Sequence, residues 1–254
     1  MRKINYSNIK NQLINFLQDY LSKSGANGFL LGVSGGLDSA VVATLCKHAA
    51  PNSTYALLMP TSTSSQTNLD DAYNLCKTLE INHKVINLDD ILNAYKTTLD
   101  IKNHHRLGNI MARIRMSLLY DASFNINALV VGTSNKSELM LGYGTIYGDL
   151  AYALNPIGEL YKSEIFEFAK FLQIDEKIIN KAPSADLFEG QSDEADLGYS
   201  YAVLDKVLEF IEVNGDNYEN LIKNFNDELL INTVLKRVNS SEFKRRMPII
   251  AKIS

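Results

Sequence analysis

Phe29-Leu30-Leu31-Gly32-Val33-Ser34-Gly35-Gly36-Leu37-Asp38-Ser39 is the stretch on which the fold turns. It begins as an apolar run of strand length, passes through a glycine turn and opens a helical stretch over 39–49. A strand, a glycine turn and a helix in that order form the setting of a phosphate loop. Gly35 and Gly36 let the backbone turn sharply and aim N–H groups at an anion, while the helix adds its positive dipole end. Ser34 and Ser39 bring hydroxyl donors. The loop lacks the Lys-Ser or Lys-Thr pair of a Walker A motif; Asp38-Ser39 stands there instead. A carboxylate beside phosphates repels them unless a divalent cation lies between, and magnesium suits that place. The plainer alternative is that Asp38 or Ser39 only caps the helix.

Outward from this loop the chain alternates. Residues 7–23 repeat Ile9, Leu13, Leu17 and Leu21 as an amphipathic helix that Ser7 can cap. Strand-length runs follow at 55–59, 84–88 and 128–132, with helical stretches at 66–80 and about 89–124, the latter interrupted near Gly108. The expected fold is α/β: a parallel sheet with helices on both faces, Rossmann-like, with a helical C-terminal extension from about 197. Residues 142–156 and 181–196 read as loops and 161–172 as a helix, and one domain is expected to span 1–254.

Composition narrows the function classes. With 25 basic and 29 acidic residues the formal net charge is −4, so the chain as a whole lacks a basic footprint for nucleic acid. The start MRKINYSNIKNQL has no apolar signal core and no run of 18 apolar residues follows, so a cytoplasmic protein without a membrane partner is expected. Cys46 and Cys76 sit in apolar-patterned helices as small buried hydrophobes, and the four histidines show no ligand spacing.

Two further segments carry chemistry. Gly132-Thr133-Ser134-Asn135-Lys136-Ser137-Glu138 follows a strand directly, which puts Glu138 at a carboxyl end of the sheet where it can join Asp38 around one metal. Glu138 also suits the first turn of a helix, and Thr133 suits its cap. Arg113 and Arg115, two apart on a mostly apolar helix, suit an anionic partner, or solvent and structural pairing.

Ser34-Gly35-Gly36-Leu37-Asp38-Ser39 resembles the signature of the PP-loop ATP pyrophosphatases, which cleave ATP between the α and β phosphates and adenylate an acceptor oxygen. In order and spacing, Ser34–Ser39, Gly108–Met116, Thr133–Glu138, Pro156–Lys162, Pro183–Leu187 and Gln191–Glu194 resemble the ammonia-dependent NAD synthetases, and Met140–Glu164 resembles their epsilon-type bacterial branch. The resemblance implies amidation of deamido-NAD with ammonia through an acyl adenylate, giving NAD, AMP and pyrophosphate.

It implies ATP contacts from Gly32, Val33, Ser34, Gly35, Gly36, Leu37, Asp38, Ser39, Met59, Thr133, Lys162 and Ser184, with Met59 equally a core residue. Asp38 and Glu138 would hold magnesium; Arg113, Asp149, Phe243 and Lys244 would meet deamido-NAD. Asp38, Glu138, Lys162 and Asp149 would be catalytic, though Asp149 is also a good turn former. The chain departs from the family at Ile146, where a lysine is usual, at Ala153, where an aspartate is usual, and at Phe243, where a histidine is usual. A homodimer is implied as well, and the 181–196 loop is expected to act as a lid. Another PP-loop ligase, a tRNA-modifying member and a non-catalytic nucleotide-binding module stand as the alternatives.

Overall fold

A computed structural model of the chain describes residues 2–184 and 190–253. Four strands, β1 (Gly28–Gly32), β2 (Thr54–Leu58), β3 (Asn82–Val85) and β4 (Ala128–Val130), form one parallel sheet in the order β3-β2-β1-β4. Helices α1 (Tyr6–Ser24), α2 (Leu37–Ala49) and α3 (Gln66–Thr78) accompany the first three strands. Helices α4 (Asp89–Thr98) and α5 (His104–Ile126) carry the chain back across the sheet to β4.

Side chains alternate along each strand, and the core divides accordingly. Phe29 and Leu31 of β1 and Ala56 and Leu58 of β2 pack with α1, α2 and α3 on one face. Leu30, Leu57 and Val130 pack with Met111, Ile114 and Leu119 of α5 on the other. Both faces are thus covered, as a parallel sheet requires.

Beyond β4 come α6 (Lys136–Leu141), α7 (Lys162–Phe171), α8 (Glu176–Ile179), α9 (Asp193–Leu197), α10 (Tyr201–Asn214), α11 (Tyr218–Phe225) and α12 (Glu228–Ser240). Residues 142–161 form no helix or strand, apart from a bridge between Val131 and Leu154. The last helices build a separate apolar cluster around Tyr161, Leu204, Leu208, Ile231 and Val234.

Several expectations shift. Asn5 rather than Ser7 caps α1, accepting from Asn8 N at 3.1 Å. The break between α4 and α5 lies at 99–103, where Asn103 caps α5, while Gly108 is buried inside that helix. β3 starts two residues early and ends at Val85, because the sheet pairs Asn82–Val85 with Tyr55–Leu58. The 181–196 segment, expected to act as a lid, includes the start of α9, capped by Ser192, and its residues 185–189 lie outside the described residues. The helical extension stops short of the tail, since 247–253 forms neither helix nor strand.

Candidate active site

Strands β1 and β4 are neighbours, yet the chain leaves β1 toward α2 on one face and reaches β4 from α5 on the other. A crevice opens at the carboxyl ends of such strands, where open α/β sheets bind ligands. Here it is a cavity of about 510 Å³, within the range of small-molecule sites.

The glycine loop forms one wall. Gly36 is the N-cap of α2 and makes no side-chain cap bond, so neither Asp38 nor Ser39 caps the helix. The loop is knitted internally: Ser34 Oγ accepts from Gly36 N at 3.2 Å, and Ser39 Oγ donates to Gly36 O at 2.9 Å. Gly35 has φ +80°, and a Cβ there would come within 2.0 Å of Asn68 O. Lys181 donates to Gly35 O at 3.1 Å and to Asn68 Oδ1 at 2.7 Å, and pairs with Asp71 at 2.5 Å. This lysine therefore straps the loop to α3.

Asp38, released from capping, turns toward β4. Its Oδ1 accepts from Asn135 Nδ2 at 3.1 Å, and its Oδ2 accepts from Lys162 Nζ. Lys162 Nζ is 3.8 Å from Glu138 Oε1. Asn135, not Thr133, caps α6 in a capping box with Glu138, whose Oε2 accepts from Asn135 N at 3.2 Å. Glu138 thus fills its first-turn role and faces the cavity as well.

Charge is concentrated here. Burial, then the nearby Asp38, push the Glu138 carboxyl well above its usual range, against the pull of Lys162. Burial favours neutral Lys162, but Asp38 and Glu138 outweigh it and hold the ammonium above its ordinary value. A third carboxylate, Asp193, is buried, accepts from Tyr143 Oη at 3.1 Å and is raised mainly by burial, opposed by Lys162.

Of the other expected residues, Gly32, Val33, Ser34, Gly36, Leu37, Ser39, Met59, Thr133, Asp149, Ser184 and Lys244 also line the cavity. Gly35 stands behind the wall. Asp149 accepts from Thr145 N at 2.6 Å, a turn contact, and is exposed, with Lys244 and Arg115 close by. Lys244 donates to Gly142 O and Gly144 O, both at 2.8 Å. Arg113 is off the wall and donates to Ile146 O at 3.3 Å; Arg115 lines it, holding Met59 O. Phe243 is 59% exposed and off the wall.

Lys181, Asn135 and Asp193 were not singled out from the sequence. Asn135 had a usable signal: Asn-x-x-Glu opening a helix is a capping pattern.

The chain as a whole has relatives among known proteins. An ammonia-dependent NAD(+) synthetase of Campylobacter jejuni subsp. doylei is 50% identical over 250 residues, 98% of this chain and 100% of the relative. The solved ammonia-dependent NAD synthetase of Campylobacter jejuni subsp. jejuni superposes with a TM-score of 0.86 at 43% identity, covering 98% of this chain and 100% of that one. An NMN synthetase from Francisella tularensis gives a TM-score of 0.89 at 31% identity, covering 99% of this chain and 100% of its own. A family model described as NAD synthase matches residues 9–248, the span that holds the glycine loop, Asp38, Glu138 and Lys162. The chain belongs to the NAD synthase family.

Proposed function

We infer that the chain is an ammonia-dependent NAD(+) synthetase, using ATP to turn the nicotinate carboxylate of deamido-NAD into the amide of NAD. The observation that carries this reading is the meeting of Asp38, Glu138 and Lys162 at the carboxyl ends of β1 and β4, beside a glycine loop.

A carboxylate is a poor electrophile for ammonia, and adenylation splits one hard step into two easier ones. In the first, a carboxylate oxygen of deamido-NAD attacks the α-phosphorus of ATP and pyrophosphate leaves. Such a transfer depends on positioning and neutralisation of charge. The backbone N–H groups of 33–39 and the helix end of α2 supply fixed positive dipoles. Lys162, held protonated by its two carboxylate neighbours, serves as a cation for phosphate and not as a base. Thr133 and Ser184 stand on the wall as hydroxyl donors, and Met59 offers an apolar surface for the adenine.

Magnesium fits this cluster. Asp38 and Glu138 share Lys162, and the Glu138 carboxyl is raised by burial and then by Asp38, the pairing of like charges that a divalent cation would relieve. Asp38 and Glu138 would hold the ion, with substrate phosphates and water completing its shell. When bound it would neutralise charge on the phosphates of ATP.

In the second step ammonia attacks the acyl carbon, AMP departs, and a carboxylate takes a proton from the new nitrogen. Asp193, raised by burial, and the exposed Asp149 are the acceptors within the cavity. Arg113, Lys244 and Phe243 are assigned to deamido-NAD; for Arg113 and Phe243 this rests on a subunit boundary completing the dinucleotide site.

The Francisella tularensis likeness raises a second reading, a mononucleotide acceptor. One assay separates them: ATP, ammonium and magnesium with deamido-NAD, the deamido form of nicotinamide mononucleotide, or xanthosine monophosphate. NAD formation at the highest kcat/KM of the three supports the proposal. Preference for either other acceptor overturns it.

A further inference from the structure

Behind the cavity, helix α10 grips the first turns of α6 and α7 in two places. Near its start, Asp205 is 1% exposed and uses both carboxylate oxygens. Oδ1 accepts from Ser137 Oγ and Oδ2 accepts from Ser163 N at 2.9 Å. Ser137 Oγ in turn accepts from Lys162 N at 2.8 Å, so one carboxylate closes a chain of bonds through the neighbours of Glu138 and Lys162. Two turns further, Glu212 accepts from Lys136 Nζ and from Tyr161 Oη at 2.8 Å. Residues seven apart lie on one helix face, so the two carboxylates brace the same pair of helix ends from one side.

We propose that Asp205 is a positioning residue for the ATP site: it sets the spacing of Glu138 and Lys162 by bridging Ser137 and Ser163. A backbone bond from Lys136 N to Leu160 O at 2.8 Å and the Glu212 brace also join the two helix starts. Asp205 alone of these reaches both Ser137 beside Glu138 and Ser163 beside Lys162. The helix starts lie 25 residues apart at Ser137 and Lys162, and α6 is only 6 residues long. A carboxylate suits the task because it accepts from both sides without offering a donor of its own. The N-terminal dipole ends of α6 and α7 favour its charge. Supporting groups of this kind commonly change metal affinity or activity by about 10–100-fold when altered.

The inference rests on Asp38, Glu138 and Lys162 forming the ATP site. Asp205→Ala removes both acceptors, so both grips are lost. In the folded variant, kcat is expected to fall by about 10–100-fold while KM for deamido-NAD stays within about twofold. Calorimetry supplies a readout without turnover. The gain in ATP affinity on adding magnesium should shrink by about fivefold or more, with magnesium-free affinity within about twofold. A general loosening of the fold would weaken both affinities together.

Ser137→Ala removes the same chain at its middle and decides the matter if Asp205→Ala does not fold. A folded variant with kcat and magnesium gain both within about twofold of the unaltered chain overturns the proposal. An unaltered chain that binds magnesium-ATP but makes no NAD would count against the ligation reading alone, and the affinity measurement would still judge Asp205.

Discussion

Asp38 and Glu138 stand 100 positions apart in the sequence and share one lysine in the fold. Removing either carboxylate takes away a proposed magnesium ligand and part of the countercharge of Lys162. Asp38→Ala and Glu138→Ala are each expected to lower turnover by more than about a hundredfold, beyond what supporting residues usually contribute. Activity near that of the unaltered chain, in protein folded by circular dichroism, would remove the altered residue from the site. The cysteines behave in the opposite way. Both are buried, and burial pushes the Cys76 thiol up to about 11 and Cys46 higher still. A thiol raised in the folded state helps stability below its unfolded value near 9 and loses that help as pH climbs toward 11. Thermal melts between pH 8 and 10.5 should therefore show a steeper loss for the natural chain than for Cys76→Ala. Equal slopes would contradict the burial argument.

At the scale of elements, the glycine loop is the most constrained piece. A side chain at Gly35 meets the Asn68 carbonyl at 2.0 Å while holding φ at +80°. Gly35→Ala is expected to destabilise the fold by at least about 1–2 kcal/mol from the left-handed backbone alone, and to weaken ATP binding. Urea midpoints and ATP titration check both, and an unchanged midpoint would show that the loop relaxes freely. This loop was legible from sequence because its strand, turn and helix are consecutive. The alternation that revealed β1, β2 and β4 is equally local, whereas β3 is largely exposed and has no apolar alternation to mark its ends. The break between α4 and α5 was misplaced because Gly108 looked like a breaker, but it is buried within α5. Lys181 and Asp193 were missed for a different reason. Lys181 lies in an irregular stretch and Asp193 opens the short α9, and both find partners far away: Lys181 reaches Gly35 across 146 positions and Asp193 meets Tyr143 across 50. Asp149 and Thr133 show the converse, where a residue legible as a candidate also sits at a turn or beside a cap held by another side chain.

The whole molecule presents apolar surface on its α5 side. Tyr120 and Phe124, one helical turn apart, are 43% and 92% exposed. This supports the proposed homodimer, whose second copy would bring the dinucleotide site to completion near Arg113 and Phe243. Sedimentation equilibrium should show twice 28.4 kDa under active conditions; a 28.4 kDa species alone would exclude the dimer. The nitrogen source is a property of the whole chain too. A glutamine-using enzyme needs an activated thiolate, and both thiols here are inert by burial. The purified chain is expected to make NAD with ammonium and not with glutamine. Glutamine-driven turnover that stops on alkylation would reverse that expectation.

Lys162 meets Asp38 across 124 positions of chain, and Asp205 lies later still. During synthesis the strands and the glycine loop leave the ribosome well before the lysine that balances their charge. A half-made chain thus carries a phosphate loop whose acidic partner has no countercharge, a poor seat for a nucleotide. If Lys162 holds its proposed role, competence to use ATP waits until the chain has been made past residue 162 and has folded back onto the loop.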